Sequence, residues 1–209
     1  IGMRYLLSDK VSLKGSFVQM NQFIHLLSNS SIGLPTDLWV PVTDKVPAQR
    51  SYQGATGMAW TIRDGLELTV EGYYKTVKNV IEYKEGASFF STTTGWEDKV
   101  EVGNGKSYGS EFFLQKRKGK FSGMLGYTLS WTTRKFANLN NGKEIPYRFD
   151  RRHDLKMAAV YAPNKNFEVS ADWVYGTGNA LTLPIGYYTG EENTLQQVYG
   201  ERNGFRMPP

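Results

Sequence analysis

The 209-residue chain has no cysteine, which excludes a disulfide scaffold, a zinc finger and a thiol nucleophile. It also has no long apolar run: the longest, residues 157–162, is far short of the roughly 20 residues of a membrane-spanning helix. Lys and Arg number 25 against 20 Asp and Glu. This mild excess is spread along the chain and argues against a dedicated nucleic-acid binder.

What the sequence does have is strict alternation of apolar and polar residues. It is clearest over residues 52–62, 66–75, 121–132 and 167–175. A helix would need apolar residues at positions i, i+3 and i+4, which these segments do not offer. Aromatic residues make up 14% of the chain, and aromatics favour strands. The pattern predicts an all-β protein whose strands have one apolar face.

The connections between these segments alternate between short and long. The short ones contain Asp, Asn, Gly or Pro and predict tight turns at residues 8–10, 63–65, 116–120 and 163–166. The long ones are predicted to be irregular and span roughly residues 28–50, 85–107, 137–152 and 184–209. Two strands are predicted to be unusually long, 66–84 and 167–183, against a usual length of about 5–6 residues.

Tight turns at one end and long loops at the other are typical of an antiparallel up-and-down transmembrane β-barrel. The aromatic residues fit two interfacial belts about 9–11 residues apart, the length of one strand crossing. Near the short turns lie Trp60, Phe121, Tyr161 and Phe167, and further along lie Tyr74, Trp131 and Tyr175. Alternation alone leaves a soluble sheet or a lipocalin-like barrel open, because those alternate too.

Several segments carry a family resemblance: residues 34–41, 47–54, 108–111, 145–155 and 206–209. They resemble TonB-dependent receptors of the outer membrane, particularly the Bacteroidetes-like branch. Both chain ends read as cut, so we expect residues 1–209 to be one partial barrel domain. The resemblance implies about eight strands from the C-terminal part of a 22-stranded barrel, with the plug domain and the final strands outside this sequence.

The same resemblance implies a function in the bacterial outer membrane, the TonB-dependent uptake of a scarce nutrient such as a siderophore, cobalamin, glycan or peptide. The implied partners are outer-membrane lipid, the protein's own plug domain, the TonB complex and, as a candidate, a surface lipoprotein, with no nucleic acid and no cofactor. Aromatic faces stack on sugars and on apolar parts of chelators. We therefore predict that solute contacts come from aromatic residues of the long loops: Trp39, Trp96, Tyr147, Tyr187 and Tyr188.

Catalytic and metal motifs are weak. Residues 105–109 match G-x-S-x-G, and Asp150 and His153 follow in hydrolase order, but the sequel reads as a strand where a nucleophile elbow needs a helix. The two histidines, His25 and His153, lack further ligands at metal-site spacing. We expect no enzyme, no catalytic residue and no metal site.

Three alternatives stay open at this point. One is a complete eight-stranded outer-membrane barrel with a structural or adhesion role. Another is a soluble lipocalin-like carrier or β-sandwich. The third is a barrel hydrolase built on Ser107, Asp150 and His153.

Overall fold

The structure, a computed structural model, describes residues 1–27, 37–84, 87, 95–190 and 195–208. Over these ranges the chain is all β apart from two short 3₁₀ turns, Trp96–Lys99 and Asn140–Gly142. No helix in this described part is long and apolar enough to span a membrane. The strands, in chain order, are β1 (Gly2–Ser8), β2 (Val11–Gln22), β3 (Ile24–Leu27), β4 (Leu38–Pro41), β5 (Gln49–Arg63), β6 (Leu66–Tyr83), β7 (Val100–Lys116), β8 (Phe121–Lys135), β9 (Glu144–Pro146), β10 (His153–Asn164), β11 (Phe167–Gly176), β12 (Ala180–Leu181), β13 (Pro184–Thr189), β14 (Leu195–Tyr199) and β15 (Phe205–Arg206).

Eight of these strands form one large antiparallel sheet in the order β1-β2-β5-β6-β7-β8-β10-β11. The strand β9 adds to β8, and three small sheets pair β3 with β4, β12 with β15, and β13 with β14. The predicted all-β, antiparallel, up-and-down arrangement is confirmed. Among the described strands the large sheet does not close into a barrel, so β1 and β11 are its two edges.

The four predicted tight turns are confirmed and lie at one end of the large sheet, here called the turn end. They join β1 to β2, β5 to β6, β7 to β8 and β10 to β11. Gly65 and Gly119 have φ angles of 74° and 98°, a left-handed conformation that glycine adopts without a Cβ clash. In the first turn the Ser8 hydroxyl accepts a hydrogen bond from the Val11 N–H at 3.2 Å. The opposite end, where the long connections lie, is called the loop end.

The first two long connections hold more regular structure than predicted. Within 28–50, of which residues 28–36 lie outside the described residues, the chain forms β4 and begins β5. The strand β7 starts at Val100 and not near residue 107, because β6 is long enough to pair with it as far as Tyr83. Residues 108–111, which directly follow the predicted long connection 85–107, therefore lie in the middle of β7.

The last predicted strand, 167–183, was too long. The strand β11 ends at Gly176, which pairs with Asp154. Its neighbour β10 begins one residue earlier, at His153, whose carbonyl accepts a hydrogen bond from the Thr177 N–H at 2.9 Å. The Thr177 hydroxyl then accepts hydrogen bonds from the N–H groups of Arg152 and His153, at 2.8 and 3.1 Å. Beyond this point the connection predicted to be irregular contains β13, β14 and β15.

The buried apolar side chains of the described residues lie at the loop end. One cluster joins the β3–β4 hairpin to the far ends of β6 and β7, and consists of Leu27, Val40, Val46, Ile81, Tyr83 and Val100. A second cluster packs the connection after β8 against β6, and consists of Val80, Phe136, Leu139 and Ile145. Asn79, at φ 61°, forms a bulge in β6 between Lys78 and Val80. Its side-chain amide donates a hydrogen bond to the Ala48 carbonyl at 2.8 Å.

Candidate functional site

Direct strand pairing arranges apolar residues in rows on one face of the large sheet, the apolar face. One row crosses all eight strands: Tyr5, Leu13, Met58, Val70, Phe112, Tyr127, Leu155 and Tyr175. A second row, nearer the turn end, crosses seven: Val11, Trp60, Leu68, Leu114, Leu125, Met157 and Trp173. The apolar residues that alternate with polar ones along each strand thus lie next to one another across strands.

This face is exposed although its side chains are large and apolar. Phe17 is 53% exposed, Trp173 is 51% exposed and Trp60 is 41% exposed. Contiguous apolar patches of this extent are rare on the surfaces of soluble monomers and mark surfaces that contact another apolar phase or partner. The face is therefore a surface of the described sheet that a partner or another apolar phase would cover.

The apolar face ends abruptly towards the loop end. There Tyr74 lies opposite Tyr108, and Tyr108 lies opposite Trp131, with ring centroids 6.3 and 5.3 Å apart. Four residues further along the same strands, on the same face, the side chains are polar or charged. This polar row consists of Asn21, Arg50, Lys78, Asn104 and Lys135.

The band between these boundaries crosses the strands obliquely. At the loop end, Tyr175 is in register with Tyr127, four residues short of Trp131. At the turn end, Trp60 is in register with Met157 of β10, which is four residues short of Tyr161. Both boundaries therefore shift in the same direction by the same number of residues from the middle of the sheet to β10 and β11.

The other face of the sheet, the polar face, carries the residues that the alternation predicts for it. Glu67 pairs with Arg117 of a tight turn at 3.3 Å, as expected for a carboxylate with a cationic neighbour. Glu71 instead lies directly opposite Glu111. Like charges opposite one another destabilise a strand pair, so this face carries an unfavourable pair within the described residues.

A pocket of about 230 Å³ opens where the polar face meets the loop end. Its polar lining includes Gln49, Lys75, Ser107, Thr132, Arg134 and Tyr147. The Ser107 and Thr132 hydroxyls are hydrogen-bonded to each other at 2.9 Å. The Arg134 guanidinium stacks on the Tyr147 ring, 3.7 Å from its centroid. The pocket thus combines cations, hydroxyls and an aromatic ring, and no carboxylate is among its described lining residues.

A larger hollow of about 390 Å³ lies on the polar face beside β1, next to Arg4, Lys14 and Glu71. The hollow exists because the small residues Ala55 and Gly57 fill little space there. One of its walls is the edge strand β1, whose outer side is unpaired in the described sheet. The pocket at Tyr147, whose described lining residues lie on inner strands of the sheet and on the connection after β9, is therefore the stronger candidate for a solute site.

Two buried carboxylates fasten the long connections to the loop end of the sheet. Glu82, with a side chain 3% exposed, pairs with Arg148 at 2.5 Å, Arg202 at 3.4 Å and Arg134 at 3.5 Å. Arg202 also donates to the Tyr83 carbonyl at 2.9 Å. One carboxylate thus holds residues from β8, from the connection after β9 and from the segment after β14.

Asp150 makes the second attachment. Its carboxylate pairs with Arg206, and with Arg152 at 3.5 Å. It also accepts a hydrogen bond from the Thr132 N–H at 2.6 Å. The Asp150 carbonyl accepts another from Arg206 at 2.7 Å. The walls of the pocket near Tyr147 are therefore held by ion pairs that are largely withdrawn from solvent.

The five residues predicted to contact solute lie on four separate elements. Trp39 is on β4 and is 63% exposed, while Trp96 begins a 3₁₀ turn and packs against the first buried cluster. Tyr147 lines the pocket, and Tyr187 and Tyr188 are exposed neighbours on β13. Among the described rings no stacking contact joins any two of the five. Tyr147 is the one that the described pocket includes.

The hydrolase motif does not assemble. Ser107 lies in the middle of β7 on the polar face and bonds to Thr132. His153 lies in a row of the apolar face, and its Nδ1 is 2.8 Å from the Tyr127 hydroxyl. Ser107 and His153 therefore lie on opposite faces of the sheet and do not form a nucleophile–base pair. In the part of the chain that the structure describes, no three His, Cys, Asp or Glu side chains come close enough to hold a metal.

Comparison with protein-family models, with curated proteins and with solved structures gives no match for this chain. The class supported by the geometry is therefore an antiparallel all-β protein with one exposed apolar face and one polar face.

Sequence reasoning missed most of the pocket. Lys75 is only the last residue of the alternating segment 66–75, and Arg134 was not singled out. Both meet Tyr147 only because β6, β7 and β8 extend beyond the aromatic row and the connection after β9 folds back on them. A usable signal was the end of the apolar alternation after Trp131, where Thr132, Thr133 and Arg134 follow.

Proposed function

We propose that this chain forms part of the wall of a β-barrel receptor in the bacterial outer membrane that takes up a scarce nutrient in a TonB-dependent manner. The observation that carries the proposal is the exposed apolar band, which has an aromatic boundary and a polar row beyond it. Lipid would cover the apolar face, and the polar face would line a wet interior. A soluble lipocalin-like carrier would instead enclose its large apolar side chains.

The dimensions of the band support this proposal. On β8 the band runs from Phe121 to Trp131, ten residues apart. At 3.3 Å per residue and a strand tilt of about 40°, this corresponds to roughly 25 Å of height, the apolar thickness of outer-membrane barrels. The oblique course of the band matches tilted strands, since rows of paired residues then rise relative to the membrane plane.

The open edges support a barrel larger than eight strands. In a bilayer the unpaired N–H and C=O groups of β1 and β11 would each cost several kcal/mol. Further strands would pair with both edges in the proposed 22-stranded barrel. In a small barrel, β1 and β11 would instead pair with each other. The count of eight principal strands keeps the complete eight-stranded barrel as the second candidate.

The proposed solute site is the pocket near Tyr147 together with the long connections around it. The residues Trp39, Trp96, Tyr187 and Tyr188 remain proposed contacts on those connections. The proposed partners are the receptor's own plug, the TonB complex and a surface lipoprotein. The cationic and hydroxyl lining of the pocket favours a solute that carries anionic or hydroxyl groups.

Membrane insertion tests the first part of the proposal. The complete natural protein, mixed with phosphatidylcholine vesicles, is expected to float with them on a density gradient and to stay bound after an alkaline wash. Recovery from the aqueous fraction without detergent would contradict the membrane assignment.

Uptake tests the second part. Cells limited in turn for iron supplied as a ferric siderophore, cobalamin, an oligosaccharide or a peptide are expected to need this protein for one of the four. That growth should also require TonB. Growth on all four nutrients without the protein would favour the small structural or adhesion barrel.

A further inference from the structure

The polar row beyond the aromatic boundary has an unusual charge pattern. Arg50 lies directly opposite Lys78, and Lys135 lies two strands further along the same row, across Asn104. All four side chains are exposed. Cations placed opposite one another on a sheet repel each other. The protein alone therefore leaves this row electrostatically unfavourable.

Few anions on this face compensate the row. Glu144, which lies opposite Lys135, pairs instead with Lys106 at 2.8 Å. The hydrogen bond from Lys106 is the largest cause of the lowered pKa of Glu144, and the charges of Lys106 and Lys135 lower it further, so Glu144 offsets the charge of Lys135 only in part. In the described residues Lys78 and Lys135 have no ion-pair partner, and Arg50 has only the Asn21 side-chain oxygen, at 3.3 Å.

The height of the polar row above the aromatic boundary indicates which group would neutralise its positive charge. The row lies four residues beyond Tyr74, Tyr108 and Trp131 on the same face. With strands tilted by about 40°, four residues correspond to roughly 10 Å above the aromatic belt. Headgroups occupy the first 5–8 Å or so beyond the hydrocarbon, and long Lys and Arg side chains reach back into that layer.

We propose that Arg50, Lys78 and Lys135 form a binding site for the phosphate groups of an anionic lipid in the leaflet at the loop end. This inference rests on the proposed membrane insertion. A lipid is favoured over a free phosphate because a single intervening row of side chains on the same face separates the site from the apolar band: Gln19, Tyr52, Thr76, Lys106 and Thr133. Acyl chains would lie on the apolar face while the phosphate meets the cations. A lipid phosphate would lie between Arg50 and Lys78, the two like charges that face each other.

The test uses the complete natural protein in phosphatidylcholine nanodiscs and pyrene-labelled phosphatidic acid, with energy transfer from tryptophan as the signal. The triple variant Arg50→Gln, Lys78→Gln, Lys135→Gln is expected to bind phosphatidic acid at least about tenfold more weakly. The matched control, Arg4→Gln, Lys14→Gln, Lys156→Gln, removes the same residue types from exposed positions on the polar face. Its affinity is expected to stay within about twofold of the parent.

Three results would overturn the lipid site. The first is equal affinity in both triple variants and the parent. The second is displacement of phosphatidic acid by inorganic phosphate at matched concentration, which would indicate a general anion site. The third is a Lys78→Glu variant that binds as well as the parent, since charge reversal must weaken a phosphate site even if the triple variant folds poorly.

Failure of this inference is distinguishable from failure of the proposed function. If the parent protein floats with pure phosphatidylcholine vesicles but the variants bind phosphatidic acid equally, only the lipid site is wrong. If the parent does not float, the membrane assignment and the lipid site are both wrong.

Discussion

Tyr108 and Trp131 face each other on neighbouring strands with ring planes 11° apart and centroids 5.3 Å apart. Paired in this way, the two rings form a flat aromatic surface where the apolar face gives way to the polar row. Aromatic side chains favour this position at a membrane interface, because the ring body is apolar and its hydroxyl or N–H is wet.

The five tryptophans of the chain give a direct test of which surface meets lipid. Trp60, Trp131 and Trp173 are on the apolar face, whereas Trp39 and Trp96 are on long connections. In variants that keep one tryptophan each, with phenylalanine elsewhere, we expect lipids with brominated acyl chains to quench the first three strongly. Trp39 and Trp96 serve as internal controls, and equal quenching of all five would contradict the lipid-facing assignment.

An arginine introduced on the apolar face of one strand should lower the free energy of unfolding more than an arginine introduced on its polar face. Leu125 lies on the apolar face near the middle of the band on β8, and its neighbour Met124 lies on the polar face. We expect Leu125→Arg to lower the free energy of unfolding in vesicles by about 2–4 kcal/mol, the cost of a cation near the bilayer midplane. Met124→Arg is the matched control, and we expect it to cost less than about 1 kcal/mol. Comparable costs in urea titrations of the two variants would mean that neither face contacts lipid.

The large sheet was predictable because its information is local. The strand predicted over 66–84, with its alternation over 66–75, matches β6 to within one residue of the observed end, and turn residues such as Gly65 mark where neighbouring strands reverse. The loop end was less predictable because it depends on distant partners. Glu82 and Arg202 are 120 residues apart, and no pattern near either residue indicates that they meet. Tyr147 was predicted as a solute contact from its loop position alone, and its stacking on Arg134 followed only from the fold.

The buried carboxylate Glu82 should control the order of the loop end. Replacing Glu82 with Gln leaves Arg134, Arg148 and Arg202 without their shared anion in a poorly solvated site. Breaking a buried ion pair in this way costs about 3–5 kcal/mol. We expect faster amide exchange over residues 137–152 and 199–207, measured by hydrogen–deuterium exchange. Glu201→Gln is the control.

Glu201 pairs with Lys143 at 3.4 Å, but both side chains are about two-thirds exposed. An exposed pair contributes at most about 1 kcal/mol, so Glu201→Gln should leave exchange nearly unchanged. If Glu82→Gln also leaves it unchanged, the connections are held by apolar packing and not by the carboxylate.

His25 should make the β3–β4 hairpin sensitive to acid. The residue is 2% exposed, and its Nε2 has no hydrogen-bond partner in the described structure. Burial lowers the pKa of His25 below the ordinary value of 6.5, and a weaker hydrogen bond with the Pro47 backbone opposes this. The stability that the buried, neutral His25 side chain gives the β3–β4 hairpin is therefore fully present above about pH 6.5. It is lost as the pH falls through the lowered pKa of His25. Amide exchange over residues 24–27 and 38–41 should rise below that pH.

The variant His25→Leu removes the titrating group and keeps an apolar side chain at that position. We expect its hairpin exchange, corrected for intrinsic rates, to be independent of pH between about pH 5 and 7. An acid-dependent increase of the same size in this variant would assign the effect to another group.

Disulfide cross-linking across the two edges of the sheet decides between a large barrel and a closed eight-stranded one. Residues 1–209 contain no cysteine, so a disulfide within them can form only between the introduced pairs. We expect Tyr5→Cys on β1 to cross-link with Leu13→Cys, which lies directly opposite it on β2. We expect no disulfide between Tyr5→Cys and cysteine at Val169, Ala171, Trp173 or Tyr175 of β11, tested one at a time. A disulfide requires Cα atoms within about 7 Å, so one of these β11 links would mean that β1 and β11 are neighbours and that the eight strands close on themselves.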